Sequence, residues 1–178
     1  LKDGMLSMEY QVENRDQRAM WYAIGAHPGF NCPMEDGFAF EDYQLVFEKE
    51  EEAVSIPYDL DQLHFSPSRQ GIRLKGCTLS LNREMFKNDA VFFDKLNSRM
   101  VSILNPATGR GVEGGFPGFE TVAFWTLYPE PAPYLCVEPW NGSGIYENED
   151  DQLSHRHHIQ HLLPGDSHSY VMTIRILG

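Results

Sequence analysis

The stretch MLSMEYQVEN, residues 5–14, alternates apolar and polar side chains, and it decides how the rest of the chain is interpreted. Apolar residues stand at every second position from Leu6 to Val12, and polar residues fill the positions between them. Successive side chains of an extended chain point to opposite faces, so this period of two is typical of a half-buried β-strand. The stretch predicts a strand and favours a β-protein.

The remaining sequence repeats this kind of segment. Strand candidates separated by turns rich in Gly, Pro, Asn and Asp are AMWYAIGA (19–26), YQLVFEKE (43–50), IRLKGCTLSLN (72–82), AVFFDKL (90–96), MVSILNP (100–106), TVAFWTLY (121–128), PYLCVEPW (133–140) and SYVMTIRIL (169–177). One short helical turn is predicted in LNREMFKND (81–89), with Asn82 as its cap. The acidic run Glu48–Glu52 is interpreted as a solvated strand end. Short, regularly spaced strands predict an all-β sandwich or barrel.

The length and net charge of the chain limit the classes of function that it can have. The 178 residues fit a single domain over 1–178, and 26 acidic against 14 basic residues give a net charge of −12. This charge argues against a nucleic-acid partner, which needs clustered Lys and Arg, and favours a neutral or weakly charged small molecule. The chain contains no apolar run long enough to cross a membrane and no secretory pattern at residues 1–10. Three widely spaced cysteines favour reduced thiols in a cytoplasmic protein.

Four polar or aromatic residues interrupt or border apolar strands and are the candidates for chemistry. His27 lies in GAHPGF at a strand end, Asp89 precedes AVFF, Trp125 lies in TVAFWT, and Glu138 follows YLCV. A carboxylate beside buried strand residues loses solvation, so we expect a raised pKa for Glu138, as a base near neutral pH requires. Each residue also has a structural interpretation: a hydrogen-bonded histidine, turn residues, or a core tryptophan.

A second cluster lies in the polar segment 141–161, which we expect to form a long loop at the rim of a site. It holds His155, His157, His158 and His161, and four imidazoles so close in sequence can bind zinc or nickel. No single secondary structure turns all four inward, and no cysteine or paired carboxylate nearby completes a ligand set. We therefore predict no native metal site, with a cupin-like metal protein as the alternative.

Several motifs, in order, carry a resemblance to a known family. The chain resembles the aldose 1-epimerase (galactose mutarotase-like) family, in particular its LacX-like branch, through YAIGAHPGFNCP (22–33), FKNDAVFF (86–93), FETVAFWT (119–126), PYLCVEPWNG (133–142) and IQHLLPGDSHSYVMTIRIL (159–177). GAHPGF and CVEPW are specific as an ordered pair. The resemblance covers essentially the whole chain.

The resemblance implies a fold and a reaction. The fold would be an antiparallel β-supersandwich, and the reaction would interconvert the α and β anomers of a hexose or a sugar phosphate by opening and reclosing the ring. His27 matches the family's general acid and Glu138 its general base, while Asp89 matches a sugar-binding aspartate more loosely. Chemistry alone suggests Trp125 or Trp140 as a platform for the sugar and Asn141 as a hydroxyl partner. No cofactor is implied.

The resemblance also implies that the chain corresponds to the C-terminal part of a longer family domain. We therefore expect an incomplete supersandwich that a missing N-terminal segment, a second chain or another copy of the chain completes. Whether the chain alone is an active enzyme is left open at this stage. The alternative function is a non-catalytic carbohydrate-binding or sugar-sensing protein that uses the same cleft.

Overall fold

The computed structural model describes residues 4–178, and its regular elements are almost entirely β-strands. In chain order the strands are β1 (Met5–Glu13), β2 (Met20–Tyr22), β3 (Ile24–Gly25), β4 (Gly29–Asn31), β5 (Gln44–Val54), β6 (Tyr58–Asp59), β7 (His64–Phe65), β8 (Arg73–Ser80), β9 (Val91–Phe93), β10 (Met100–Leu104), β11 (Gly111–Gly115), β12 (Thr121–Trp125), β13 (Tyr134–Asn141), β14 (Gln160–Leu162) and β15 (Ser167–Leu177). Short 3₁₀ segments span Phe40–Asp42, Arg83–Phe86 and Leu153–His155. This confirms the predicted all-β class.

Two antiparallel sheets form the body of the protein. The first has six strands in the order β1-β15-β11-β10-β5-β8, and the second has five, in the order β3-β13-β12-β9 with β4 also paired to β13. The main core contains apolar residues from both sheets. Phe47 of β5 meets Phe124 of β12 edge to face, with ring centroids 6.0 Å apart. Tyr10 and Val12 of β1 pack against this core as their alternation predicted, whereas Leu6 of the same strand is exposed. Packing between two sheets is the arrangement of a sandwich.

Strand β13 has two buried faces, and only one of them points to this core. Leu135 and Val137 belong to the main cluster, whereas Trp140 packs against a second, smaller cluster around Phe92 of β9. The hairpin β6–β7 covers this second face, because Phe65 stacks on Phe92 with ring centroids 4.4 Å apart. A polar residue on the second face of β13 is thereby removed from most solvent.

Several local expectations are confirmed and others need correction. Asn82 caps the 3₁₀ turn as predicted, since its side chain accepts a hydrogen bond from the Met85 amide at 3.2 Å. The acidic run is not simply a solvated strand end. It continues β5 past a bulge, and Glu51 is buried there, where it accepts hydrogen bonds from the Ser98 amide (2.7 Å) and hydroxyl (2.6 Å). The predicted strand 19–26 is divided into β2 and β3.

Within residues 4–178, no helix has the length and apolar character needed to cross a membrane.

Candidate acid–base site

The site forms where β13 meets the segment between β3 and β4, and backbone hydrogen bonds fix His27 there. The Ala26 amide donates to the Pro139 carbonyl at 3.0 Å, and the Val137 amide donates to the Pro28 carbonyl at 3.1 Å. The backbone is therefore tied to β13 immediately before and after His27. His27 lies between these two tied residues and projects its ring over β13, with 61% of the side chain exposed.

Gly25 makes this close approach possible. A Cβ atom at this position would lie 2.6 Å from Cδ1 of Trp140 and 3.0 Å from the Pro139 carbonyl oxygen. The first distance is too short for a side chain and the second is tight, so any other residue here would displace β3 or Trp140 from their present pairing. Gly29, on the other side of His27, is less constrained, since its Cβ would meet only Sγ of Cys136 at 3.5 Å.

Glu138 lies under the imidazole. Its Oε1 is 3.2 Å from Nε2 of His27, although the two atoms lack the alignment of a hydrogen bond. The glutamate side chain is 4% exposed, and Oε1 is buried with no hydrogen-bond partner among the described residues. Burying a carboxylate oxygen without a hydrogen-bond partner costs free energy. Such oxygens are rare in folded proteins, and a catalytic role is one explanation for them. The two motif residues that lie 111 positions apart in the chain therefore meet.

Burial changes the protonation of Glu138. Desolvation, with a smaller contribution from the negative charge of Asp89, raises the pKa of Glu138 to about 7. This confirms the raised pKa that was predicted from its position beside the apolar run of β13. Near neutral pH such a carboxylate can take up and release a proton, which makes it suitable as a general base.

Asp89 and Trp125 border this pair. Asp89 has a positive φ of 75°, and its Oδ1 accepts a hydrogen bond from Nε1 of Trp125 at 2.8 Å. The Trp125 ring contacts the His27 ring edge to face, with centroids 6.1 Å apart, and tilts against Tyr134 at 5.8 Å. The structure thus brings together His27, Glu138, Asp89 and Trp125, the four residues that interrupt the strand pattern.

Trp140 and Asn141 have different surroundings. Trp140 lines a cleft of about 430 Å³ together with His27 and the backbone of residues 142–144, a volume within the range of small-molecule sites. Asn141 is buried. Its side-chain Oδ1 accepts a hydrogen bond from the backbone amide of Glu120 at 2.8 Å, and its side-chain Nδ2 donates to the backbone carbonyl of Gly118 at 2.8 Å. These bonds use the side chain to hold a loop, so we leave Asn141 out of the substrate contacts proposed below.

A second cleft, of about 460 Å³, is lined by other residues. It is bordered by Tyr58, Ile72, Met85 and Asn88, and Glu84 is the only carboxylate among its lining residues, none of which is a histidine. His27 therefore lines the first cleft, whereas neither His27 nor Glu138 lines the slightly larger one.

The four loop histidines do not converge. His155 pairs with Asp150 and His157 with Glu149, while His161 stacks on Trp21 with ring centroids 5.0 Å apart. His158 lies between Glu120, 2.6 Å from its Nδ1, and Asp94, 3.8 Å from its Nε2. Each imidazole that pairs with a carboxylate has a different one, so the cluster seen in the sequence holds the loop rather than forming a single ligand set.

Cys136 is the residue at the site that motif reasoning missed. It lies two positions before Glu138 on the same face of β13, and strand alternation in CVEPW would have indicated this placement. Its sulfur, the His27 imidazole and the Glu138 carboxylate each offer an atom within 4.8 Å of the other two. Tyr134, a further two positions back on that face, was also not singled out.

Comparisons with known proteins agree with this architecture. The chain is 33% identical to the LacX proteins of Lactococcus lactis over an alignment of 185 positions, which covers all of this chain and 60% of LacX. A galactose mutarotase related enzyme from Lactobacillus acidophilus superposes on 99% of the chain with a TM-score of 0.89 and 25% identity, over 58% of its own length. The fold is galactose mutarotase-like. This confirms the resemblance found in the sequence motifs.

A more distant structure shows the same fold. A galactose mutarotase-like protein from Lactobacillus casei matches 99% of the chain with a TM-score of 0.80 and 21% identity, over 60% of its length. No family model matches the sequence. The chain spans about 60% of the length of the LacX proteins. What this mutarotase-like chain does is therefore argued below from its own residues.

Proposed function

We propose that this protein interconverts the α and β anomers of a hexose, as an aldose 1-epimerase does, with His27 as general acid and Glu138 as general base. The observation that carries the proposal is the 3.2 Å approach of an exposed imidazole to a buried carboxylate whose pKa is raised to about 7. The mutarotase-like fold supports the same reaction class.

The short distance between acid and base fits the reaction. The anomeric hydroxyl oxygen O1 and the ring oxygen O5 are both bonded to C1, so two groups that act on them must lie close together on the enzyme. Glu138 removes the proton from O1 while His27 donates a proton to O5. The C1–O5 bond breaks and a C1=O1 double bond forms, which gives the open-chain aldehyde.

Closing the ring completes the exchange. After rotation about C1–C2, O5 attacks the other face of the carbonyl, His27 takes back the O5 proton, and Glu138 returns a proton to O1. All protons are conserved, and neither a redox nor a nucleotide cofactor enters the scheme. General acid and general base groups each contribute roughly 10²- to 10⁴-fold in rate.

The surrounding residues would hold the sugar. Asp89 offers a carboxylate as an acceptor for sugar hydroxyls, and the hydrogen bond from Trp125 fixes its direction. The rings of Trp125 and Trp140 offer apolar surface for the C–H face of a pyranose. The carboxylates at this site and the net charge of −12 favour a neutral sugar over a sugar phosphate.

A non-catalytic sugar-binding protein is the second candidate, and one observation favours it. Oε1 of Glu138, the oxygen nearest His27, is sealed from solvent, so this oxygen reaches O1 only if the side chains around it rearrange. A protein that binds a sugar in the cleft beside Trp140 would not need this movement.

The two candidates are distinguished by exchange measured together with binding. Freshly dissolved α-glucose and α-galactose are mixed with the protein, anomer exchange is followed by NMR, and binding is measured by calorimetry on the same samples. Accelerated exchange supports the epimerase. Binding without acceleration supports the second candidate. If the protein shows no binding and no accelerated exchange, both candidates are refuted.

A further inference from the structure

We propose that His27, Cys136 and Glu138 form an inhibitory site for a thiophilic divalent cation such as Zn²⁺. Imidazole nitrogen, thiolate sulfur and carboxylate oxygen are the ligand types that zinc prefers in proteins. This site is separate from the histidine cluster of the loop, and the binding of the ion does not depend on the proposed sugar chemistry.

The distances suit a three-ligand site. Zinc binds these atoms at about 2.0–2.3 Å, so the ligand atoms of a tetrahedral site are separated by about 3.3–3.8 Å. His27 Nε2 and Glu138 Oε1 are already 3.2 Å apart, and each of the three residues offers a ligand atom within 4.8 Å of those of the other two. Small side-chain rotations therefore bring all three into ligand positions, since Cys136 and Glu138 share one face of β13.

The buried oxygen of Glu138 is the second observation that indicates a ligand. Oε1 has no hydrogen-bond partner, and the whole residue is 3% exposed. A bound cation would satisfy this oxygen and would offset the cost of its burial. The exposed side of His27 leaves an approach from solvent and a fourth coordination position for water.

Coordination would block the proposed reaction. The Cys136 thiol releases its proton to solvent when the sulfur binds the ion, and His27 and Glu138 give up to the metal the lone pairs they need for proton transfer. The ion therefore competes with the sugar for the acid–base pair. Loss of activity on zinc addition and its recovery with a chelator rest on the proposed function, whereas metal binding itself does not.

Binding is tested directly with cobalt and zinc. Co²⁺ added to the wild-type protein is expected to give a thiolate-to-cobalt charge-transfer band in the near ultraviolet, and the band should be absent from Cys136→Ala. Equilibrium dialysis should show one zinc ion per chain, with affinity reduced at least about tenfold in Cys136→Ala and in Glu138→Gln. Thermal melting confirms that each variant is folded before it is compared.

A variant of the loop is the matched control, because the exposed histidines of the wild-type loop also attract zinc. His155→Ala/His157→Ala removes two histidine–carboxylate pairs and leaves the three proposed ligands intact. It should retain the cobalt band and the tight zinc ion. The proposal is overturned if wild type shows no thiolate band, or if the loop variant loses the tight zinc ion while folded Cys136→Ala retains it.

Discussion

At the scale of single residues, the protonation of Glu138 affects the stability of the fold and, in the proposed function, the rate of anomer exchange. The carboxylate is sealed into the second face of β13 and its neighbour Asp89 is negative, so ionising it inside the folded protein is unfavourable. A group whose pKa rises on folding favours the folded state at low pH and disfavours it as the pH passes the folded pKa. The ionised form that the proposed base requires is therefore the form that destabilises the fold.

Replacing Glu138 by glutamine tests both consequences. Glu138→Gln should reduce anomer exchange by about 10²-fold or more, because an amide cannot accept the proton. The same variant should be more stable than wild type at pH 8, by up to about 3 kcal/mol, with the difference shrinking toward pH 5 where the folded carboxyl is protonated. Urea unfolding at the two pH values measures this. Equal stability of the two proteins at pH 8 would contradict the buried charge.

The charge of Asp89 is predicted to act on Glu138. Asp89→Asn keeps the shape and tolerates the positive φ, since asparagine also adopts this conformation. Removing the negative charge should lower the pKa of Glu138, so the pH at which exchange reaches half of its plateau should move to lower values. An unchanged midpoint, measured from the pH dependence of exchange, would show that desolvation alone sets this pKa.

At the scale of elements, the pairing of β3 and β4 with β13 positions the acid. Gly25→Ala should separate β3 from Trp140, displace His27 and cost about 1–3 kcal/mol of stability. Gly29→Ala is the matched control on the other side of His27, because its Cβ makes only an ordinary contact. Thermal melting and exchange rates of the two variants provide the comparison. Similar losses in both would argue against a steric role for Gly25.

The long loop depends on His158, whose contact with Glu120 and Asp94 ties it to the second sheet. Asp94 and Glu120 raise the pKa of His158, so this tie is strongest below pH 6.5 and is lost as the pH rises through the raised value. His158→Asn, which tolerates the φ of 58°, should cost about 1 kcal/mol at pH 6 and less at pH 9. Exposed His155→Ala should cost little at either pH. Melting curves of the two variants at pH 6 and pH 9 measure these costs.

Sequence patterns predicted the elements that alternate and missed those that do not. β1 and β15 were evident from their period of two, whereas β11, with the sequence GVEGG, has too few side chains to show any period. The bulge in β5 could not be foreseen, because the buried partner of Glu51 is Ser98, 47 positions away. The short β14 was hidden in a polar segment that was interpreted as loop.

The candidate site could also be predicted from the sequence only in part. His27 and Glu138 could be singled out from their motifs, but their contact depends on the pairing of β3 and β4 with β13, which only the fold shows. The side chain of Asn141 bonds to the backbone of residues 118 and 120, which its motif did not indicate, and its contact with a sugar stays a prediction. The loop histidines looked like a cluster in sequence, yet each has its own contacts in the structure.

For the whole molecule, the galactose mutarotase-like fold extends over nearly the entire chain. A single domain that forms the C-terminal part of a longer one, a cytoplasmic location, and completion by a further segment, a second chain or another copy remain predictions. Exposed Leu6 lies on β1, the edge strand of the six-stranded sheet, and exposed Ile176 lies on the adjacent strand β15, where a partner at this edge would bury them. Light scattering of the 178-residue chain should show association, and a strictly monomeric chain would contradict it.

A double-mutant cycle examines whether His27 and Glu138 work on one sugar as a unit. Anomer exchange is measured by NMR for wild type, His27→Asn, Glu138→Gln and the double variant. If both groups act in the same ring opening, the double variant should be about as slow as the slower single variant, since a scheme that has lost its acid gains little from its base. Losses that simply multiply, or a single variant with wild-type rates, would show that the two side chains meet in the fold without sharing a reaction.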